Sequence, residues 1–189
     1  MMVQAALNVL GSVHVAAFTA ANKIEQIVTQ VYVALGTTMA TYCAQNMGAG
    51  KVKRISRGFR ATTVIGSMYS VVFFFGNMLT GLFVSENLDQ IVGLVDIYMK
   101  CVALFFIPLN VVNVYRNGIQ GMGYGFLPMT AGIAELAGRG LTAVVASHYK
   151  SYLGICLASP VAWIFASALL LVMYFGIMNK YKKAGNFRE

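Results

Sequence analysis

The sequence predicts an all-α protein built as a polytopic bundle of transmembrane helices. Of the 189 residues, 58% are apolar and only 11% are charged, whereas about a quarter of the residues in an average soluble domain are charged. Long apolar runs alternate with short polar connections. A soluble fold with so few charges could not solvate its outer surface, so we expect lipid to surround these segments. Segments that cross lipid satisfy their own backbone hydrogen bonds, which favours helices over strands.

Five long apolar segments follow a short N-terminal one, at residues 15–45, 58–83, 91–115, 126–147 and 152–178. At about 1.5 Å per residue, each can cross ~30 Å of hydrocarbon. Residues 1–10 provide only about half of such a span, which predicts that the chain begins partway through a helix. We therefore expect a single membrane domain over residues 1–189, with the end of a truncated helix at 1–10, about five complete spans, and a tail at 179–189.

Glycine and proline indicate where the predicted helices end or bend. The run Gly48-Ala49-Gly50 follows the first span and is typical of a helix terminator with a close turn. Pro108 lies inside the third segment and is expected to kink it. The run from Gly118 to Gly125 follows a membrane span rather than a strand and lacks the Lys-Ser/Thr of a phosphate loop. It indicates a flexible loop that permits helix movement.

Basic residues concentrate in alternate connections, which predicts the orientation of the chain. Cytoplasmic loops carry an excess of Lys and Arg, so these connections and the C-terminus are predicted to face the cytoplasm from the cell membrane. The net charge of +8 is then an orientation signal rather than a nucleic-acid-binding face. Ten of the fourteen basic residues lie on this side: Lys51, Lys53, Arg54, Arg57, Arg60, Arg116, Lys180, Lys182, Lys183 and Arg188.

Polar residues recur at three- and four-residue steps inside the spans. One interpretation is helix packing, because small and hydroxyl residues are common where membrane helices touch. The other is a wet central cavity on which several helices converge, and both can hold. The recurring positions are Thr19, Asn22, Gln26 and Thr29 on the first span, Asn110, Asn113, Asn117 and Gln120 on the third, and Glu135, Arg139 and Thr142 on the fourth.

Three carboxylates within the spans are candidates for a cation-coupling or substrate site, because an intramembrane carboxylate marks a functional site by default. Lys23 leaves a structural role open for its neighbour Glu25, and Asp96 lies near the outer end of its span. Glu135 and Arg139 are four residues apart and predict an ion pair on one helix face. That pair would either brace the bundle or open when Glu135 binds a proton or an ion. The candidates are Glu25, Asp96 and Glu135, with Asn22, Gln26, Asn110 and Asn113 as neutral ligands.

The sequence does not favour an enzyme or a metal protein. The two histidines show no His/Glu metal-binding spacing, and no Gly-x-Ser-x-Gly nucleophile motif occurs. The three cysteines lie far apart, and an odd number excludes a complete disulfide framework. We predict neither a metal site nor an organic cofactor.

Four motifs run through the chain: Ala16-Ala17-Phe18, Gln45-Asn46-Met47-Gly48-Ala49-Gly50-Lys51, Arg116-Asn117-Gly118-Ile119-Gln120-Gly121-Met122-Gly123, and Pro128 followed by Glu135-Leu136-Ala137-Gly138-Arg139. Together they resemble the multidrug and toxic compound extrusion (MATE) family, over about residues 15–174. Arg116-Asn-Gly replaces the more usual Arg-Gly, which is a mild departure. Structural or gating candidates are Gln45, Gly48, Gly50, Pro108, Arg116, Gly121 and Arg139.

The resemblance implies one lobe of a secondary transporter. Members of the family are similar in having two six-helix lobes and in exchanging cationic or amphipathic drugs for Na⁺ or H⁺. This chain would be the C-terminal lobe, and its coupling ion would be Na⁺ or H⁺. Its partners would be the N-terminal lobe, a small-molecule substrate and membrane lipid.

Two alternatives remain open. A lipid-linked saccharide flippase of related fold would need a strongly cationic cavity, whereas the spans carry only Lys23, Lys100 and Arg139 against three acids. A structural membrane subunit would not transport at all.

Overall fold

The computed structural model describes residues 7–8, 10–83, 90–149 and 151–185. These ranges contain helices joined by short turns and no strand, which confirms the predicted all-α class. The helices are α1 (Ser12–Gly48), α2 (Val52–Phe83), α3 (Gln90–Ala103), α4 (Phe106–Gly121), α5 (Phe126–His148), α6 (Tyr152–Cys156) and α7 (Ala158–Lys183).

The predicted chain ends fall partly outside the described residues. The truncated helix expected at 1–10 is described only at residues 7, 8 and 10, and residues 186–189 of the expected tail are not described. Within the described part, α7 continues to Lys183, so the first residues of the predicted tail extend the last helix.

The third predicted segment consists of two helices, α3 and α4, which meet at a bend of 55°. Pro108 has no N–H to donate to the carbonyl of Leu104, four residues earlier, and Leu104 and Phe105 are the two non-helical residues at the break. The expected kink is therefore confirmed. Because of it, Asp96 on α3 does not share a continuous helix face with Asn110 on α4.

The turn between α1 and α2 is the predicted helix terminator. The Lys51 N–H donates to the carbonyl of Asn46 at 2.8 Å, and the Gly50 N–H donates to that of Met47 at 3.0 Å. These bonds close the end of α1 and place Gly50 at φ 69°, a left-handed conformation that glycine adopts without steric cost.

The first half of the glycine-rich run is helix, so the prediction of a flexible loop over its whole length is wrong. Gly118 and Gly121 lie in α4, and only residues 122–125 form the turn. A Cβ on Gly121 would collide with the backbone of Ala40 on α1, and one on Gly118 would collide with the ring of Phe59. Glycine at these positions lets two helices approach closely. A structural role for Gly121 fits this contact.

Helix α1 packs against α2, α3 and α4. It runs parallel to α4, because Gly36 lies against Asn113 and Ala40 against Gly121. On the other side of α4, helix α7 packs against both α4 and α5. The hydroxyl groups of Tyr124 and Tyr181 lie 3.3 Å apart, which places the α4–α5 turn and the end of α7 at one end of the bundle.

Two of the described helical stretches are long and apolar enough to cross a membrane, Val52–Phe75 and Tyr152–Lys183. The bent pair of α3 and α4 is a third when it is counted as one span. The remaining long helices, α1 and α5, carry charged residues in mid-helix. Large apolar side chains on α2 face outward, among them Ile65 at 56% and Met68 at 64% exposure. This surface suits lipid, and the fold is a membrane helix bundle.

Candidate functional site

Six polar side chains from four helices converge inside the bundle. We call them the polar cluster: Asn22 and Glu25 on α1, Tyr98 on α3, Arg116 on α4, and Glu135 and Arg139 on α5.

One half of the polar cluster is an ion-pair triad. A carboxylate oxygen of Glu135 lies 2.7 Å from a terminal nitrogen of Arg116, and its other oxygen lies 3.1 Å from a terminal nitrogen of Arg139. The Glu135 side chain is 19% exposed, against 30% for Arg116 and 40% for Arg139. One mostly buried carboxylate thus holds two partly exposed guanidinium groups.

The other half is a set of three oxygen atoms. The Tyr98 hydroxyl donates to the Glu25 carboxylate, and its oxygen also lies 3.2 Å from Oδ1 of Asn22. The amide nitrogen of Asn22 donates to the carbonyl of Phe18 at 2.9 Å, which turns its Oδ1 toward Tyr98. Carboxylate, amide and phenol oxygens therefore face one point between α1 and α3.

Arg139 links the two halves loosely, because its attraction to the Glu25 carboxylate is weaker than the effect of the Tyr98 hydrogen bond, while it forms an ion pair with Glu135. Two carboxylates then face two guanidinium groups when all four are ionised. Mutual pairing is the condition under which such charges are tolerated inside a membrane.

Apolar packing holds these side chains in place. Tyr98 is 1% exposed, and its ring packs edge-on against Phe18 of α1, with ring centroids 5.1 Å apart. Helix α5 packs against α7, where Gly138 faces Ala162 and a Cβ on Gly138 would make ordinary van der Waals contact at 3.5 Å. The neighbouring Arg139 is thereby carried on a helix that is fixed against the bundle.

The structure confirms the predicted Glu135–Arg139 ion pair and brings Asn22 next to Glu25. It corrects the position of Arg116, which the sequence interpretation counted among the connections but which lies within α4 and binds Glu135. Arg116 and Arg139 thus both lie within helices and both pair with Glu135. Tyr98 was missed altogether, since no spacing along the chain relates it to Glu25.

Other predicted site residues lie apart from the polar cluster. Asp96 pairs with Lys100 at 2.6 Å, and their side chains are 36% and 52% exposed. Gln26 and Gln45 are exposed, and the backbone carbonyl of Gln45 accepts the N–H that caps α1. A Cβ on Gly48 would meet no atom within 4 Å.

The asparagines of α4 belong to the packing between helices. Asn110 is fully buried and donates to the backbone carbonyl of Thr63 at 3.0 Å, while Asn113 donates to the carbonyl of Leu109 at 3.0 Å. Asn113 lies against Gly36, which is about 16 Å along α1 from Glu25 at 1.5 Å per residue. These residues are therefore not ligands of the oxygen set around Glu25.

Comparison with known proteins agrees with this architecture. The MatE family profile matches residues 1–141. A similar protein is the "Probable multidrug resistance protein YpnP" of Bacillus subtilis (strain 168), 32% identical over 124 residues. Those residues are 63% of this chain but only 27% of the relative, so the chain matches about a quarter of that protein's length. No solved structure matches the chain. Because the profile covers well over half of its residues, the chain belongs to the MatE family, the multidrug and toxic compound extrusion family that its motifs resemble.

Proposed function

We propose that this chain is the C-terminal lobe of a secondary transporter that exports lipophilic or cationic small molecules in exchange for Na⁺ or H⁺. Membership of the MatE family and the name of the Bacillus relative support transport of drugs. The observation that supports cation coupling is that the side-chain oxygens of Glu25, Asn22 and Tyr98 meet at one half-buried point between α1 and α3.

The oxygen set has the chemistry that a hard cation requires. Glu25 supplies a negative charge, and Tyr98, whose hydroxyl contacts both Glu25 and Asn22, supplies a neutral oxygen together with that of Asn22. Hard cations prefer oxygen ligands, while a proton needs only the carboxylate. Either ion neutralises Glu25, so both can compete for the same position.

Arg139 transmits this neutralisation to the rest of the cluster. With Glu25 charged, the guanidinium of Arg139 interacts with two carboxylates. With Glu25 neutralised, the guanidinium of Arg139 is attracted only to Glu135. This change favours a tighter α4–α5 pair, and it loosens the electrostatic link between α5 and α1. Ion binding thus stabilises one arrangement of helices relative to another, which is the requirement for coupling.

Ion binding by the purified chain tests this function directly. We expect Na⁺ or H⁺ binding, followed by calorimetry at constant ionic strength, to be abolished in Glu25→Gln and weakened about tenfold in Tyr98→Phe, which lacks one ligand or hydrogen bond. Asp96→Asn is the matched control, since it removes a carboxylate outside the polar cluster. Equal binding by Glu25→Gln and the unsubstituted chain would exclude Glu25 as the coupling site.

Transport requires an efflux measurement in cells. We expect ethidium efflux driven by a Na⁺ or H⁺ gradient to depend on Glu25 when the chain is combined with an N-terminal lobe, and not to occur with an inserted Glu25→Gln variant. The charge balance of the polar cluster is neutral, which disfavours anionic lipid-linked saccharides as cargo. Ion binding without any gradient-driven efflux would instead support a non-transporting role.

A further inference from the structure

We propose that the cavity beside the break between α3 and α4 binds the ammonium group of an amphipathic primary amine. The cavity has a volume of about 120 Å³ and lies between α2 and the break. Ser70, Phe74 and Phe75 line it from α2, and Leu104 and Ile107 line it from the break. Its role as a substrate position rests on the proposed export function, whereas the binding itself does not.

The break leaves one backbone carbonyl without a helical donor. Pro108 has no N–H for the carbonyl of Leu104. The Phe105 N–H donates to the carbonyl of Val102 at 2.9 Å, and the Leu109 N–H donates to that of Phe105 at 3.2 Å. The carbonyl of Leu104 lies between these bonds and accepts none from the backbone. Non-helical backbone inside a membrane needs a partner from the protein or from a polar cavity.

This carbonyl belongs to the wall of the cavity. The last carbonyls of a helix point along its axis, here from α3 toward α4. Because Leu104 and Ile107 both line the cavity, the carbonyl of Leu104 lies between two residues of that wall. A donor bound in the cavity can therefore supply the hydrogen bond that Pro108 does not.

Ser70 provides a second acceptor in the same wall. Its side chain is buried, with 3% exposure, and its hydroxyl donates to the carbonyl of Gly66 at 2.8 Å. Because that bond uses the only hydrogen of Ser70, the Tyr32 hydroxyl, 2.8 Å from the Ser70 oxygen, must donate to it. A hydroxyl oxygen has two acceptor positions, so one remains for a ligand.

The rest of the wall suits a cation. Phe74 and Phe75 pack edge to face with ring centroids 5.8 Å apart, and aromatic faces attract an ammonium group. The C-terminal end of α3 lies at the break and carries the negative end of its helix dipole. Lys100 in the last turn of α3 is paired with Asp96 at 2.6 Å and does not line the cavity.

The number of acceptors selects the kind of amine. A ligand that donates to the carbonyl of Leu104 and to the Ser70 oxygen together needs two N–H groups, which a primary ammonium has and a quaternary one lacks. A cavity of ~150 Å³ holds benzene, so one of about 120 Å³ admits the ammonium group and its first carbons. The apolar remainder can lie on the surface of α2 beside it, where Val71 and Val72 are 45% and 71% exposed.

Titration of the purified chain in a neutral detergent at pH 7 with 2-phenylethylamine, followed by calorimetry, tests the site. We expect saturable binding at least tenfold tighter than that of the N,N,N-trimethyl derivative, which has no N–H to donate. Pro108→Ala gives the carbonyl of Leu104 its N–H and should weaken binding about tenfold, and Ser70→Ala should weaken it about threefold. Pro128→Ala is the control, because it makes the same change in the first turn of α5, where an N–H has no carbonyl of its own helix to reach.

Each outcome decides for or against the proposal. Selective loss in Pro108→Ala, or in Ser70→Ala where the proline variant does not fold, supports it, with the fluorescence of Trp163 reporting correct folding. Equal affinity for the two amines would overturn it, as would equal loss in Pro128→Ala. Displacement of the amine by dihexanoyl phosphatidylethanolamine would assign the cavity to a lipid headgroup instead. Absence of amine binding would overturn this site and leave the proposed function standing, because ion binding at Glu25 is measured separately.

Discussion

Glu135 holds two arginines with its two carboxylate oxygens, so the substitution Glu135→Gln removes the negative charge that both share and leaves one acceptor oxygen in place of two. The side chain keeps its size, and the change is almost purely electrostatic. Arg116 and Arg139 would then face each other across a neutral amide, whose NH2 group cannot accept a hydrogen bond, so one of the contacts of 2.7 and 3.1 Å would be lost.

The expected loss of stability follows from the burial of this triad. Removing one partner of a fully buried ion pair costs about 3–5 kcal/mol. Because the arginines are 30% and 40% exposed, solvent screens part of the effect, and we expect about 3 kcal/mol for Glu135→Gln. Asp96→Asn breaks a pair whose members are 36% and 52% exposed, so we expect at most about 1 kcal/mol there.

Unfolding in mixed micelles of neutral detergent and dodecyl sulfate measures the difference in free energy of unfolding between Glu135→Gln and Asp96→Asn. Trp163 is the chain's single tryptophan and is 4% exposed, so its fluorescence reports the loss of packing. The double variant Glu135→Gln/Arg139→Gln should be less destabilised than the sum of its single variants, because it leaves one unpaired arginine instead of two. A free energy of unfolding for Glu135→Gln equal to that of Asp96→Asn would refute the role assigned to the triad.

Two further predictions concern the packing of the helices. Gly66→Ala should destabilise the bundle by about 3 kcal/mol, because its Cβ would overlap the buried amide of Asn110. Gly132→Ala is the control, because its Cβ would meet no atom within 4 Å, and it should stabilise its helix by up to about 1 kcal/mol. The Trp163 unfolding assay measures both variants. Equal changes in their free energy of unfolding would contradict the close contact between Gly66 and Asn110. Pro108→Ala restores an N–H for the carbonyl of Leu104 and should lengthen the distance between spin labels at the outer ends of α3 and α4 by ~5 Å if the 55° bend straightens fully. An unchanged distance would assign the bend to packing rather than to proline.

The fold could be predicted because its determinants lie close together in the sequence. Apolar runs of sufficient length specify helices in lipid, Gly48-Ala49-Gly50 specifies the end of α1, and Pro108 specifies the bend. The Glu135–Arg139 pair was predictable for the same reason, since residues four apart on a helix are neighbours. Each of these features is set by one continuous stretch of the sequence.

The rest of the polar cluster depends on contacts between helices, which no spacing along the chain specifies. Tyr98 meets Glu25 only because α1 and α3 lie side by side. Arg116 appeared to be a cytoplasmic charge because it precedes a glycine-rich run, yet Gly121 packs on α1 and thereby extends α4 beyond it. Whether a glycine ends a helix or allows two helices to touch depends on what lies opposite to it, and that is tertiary information.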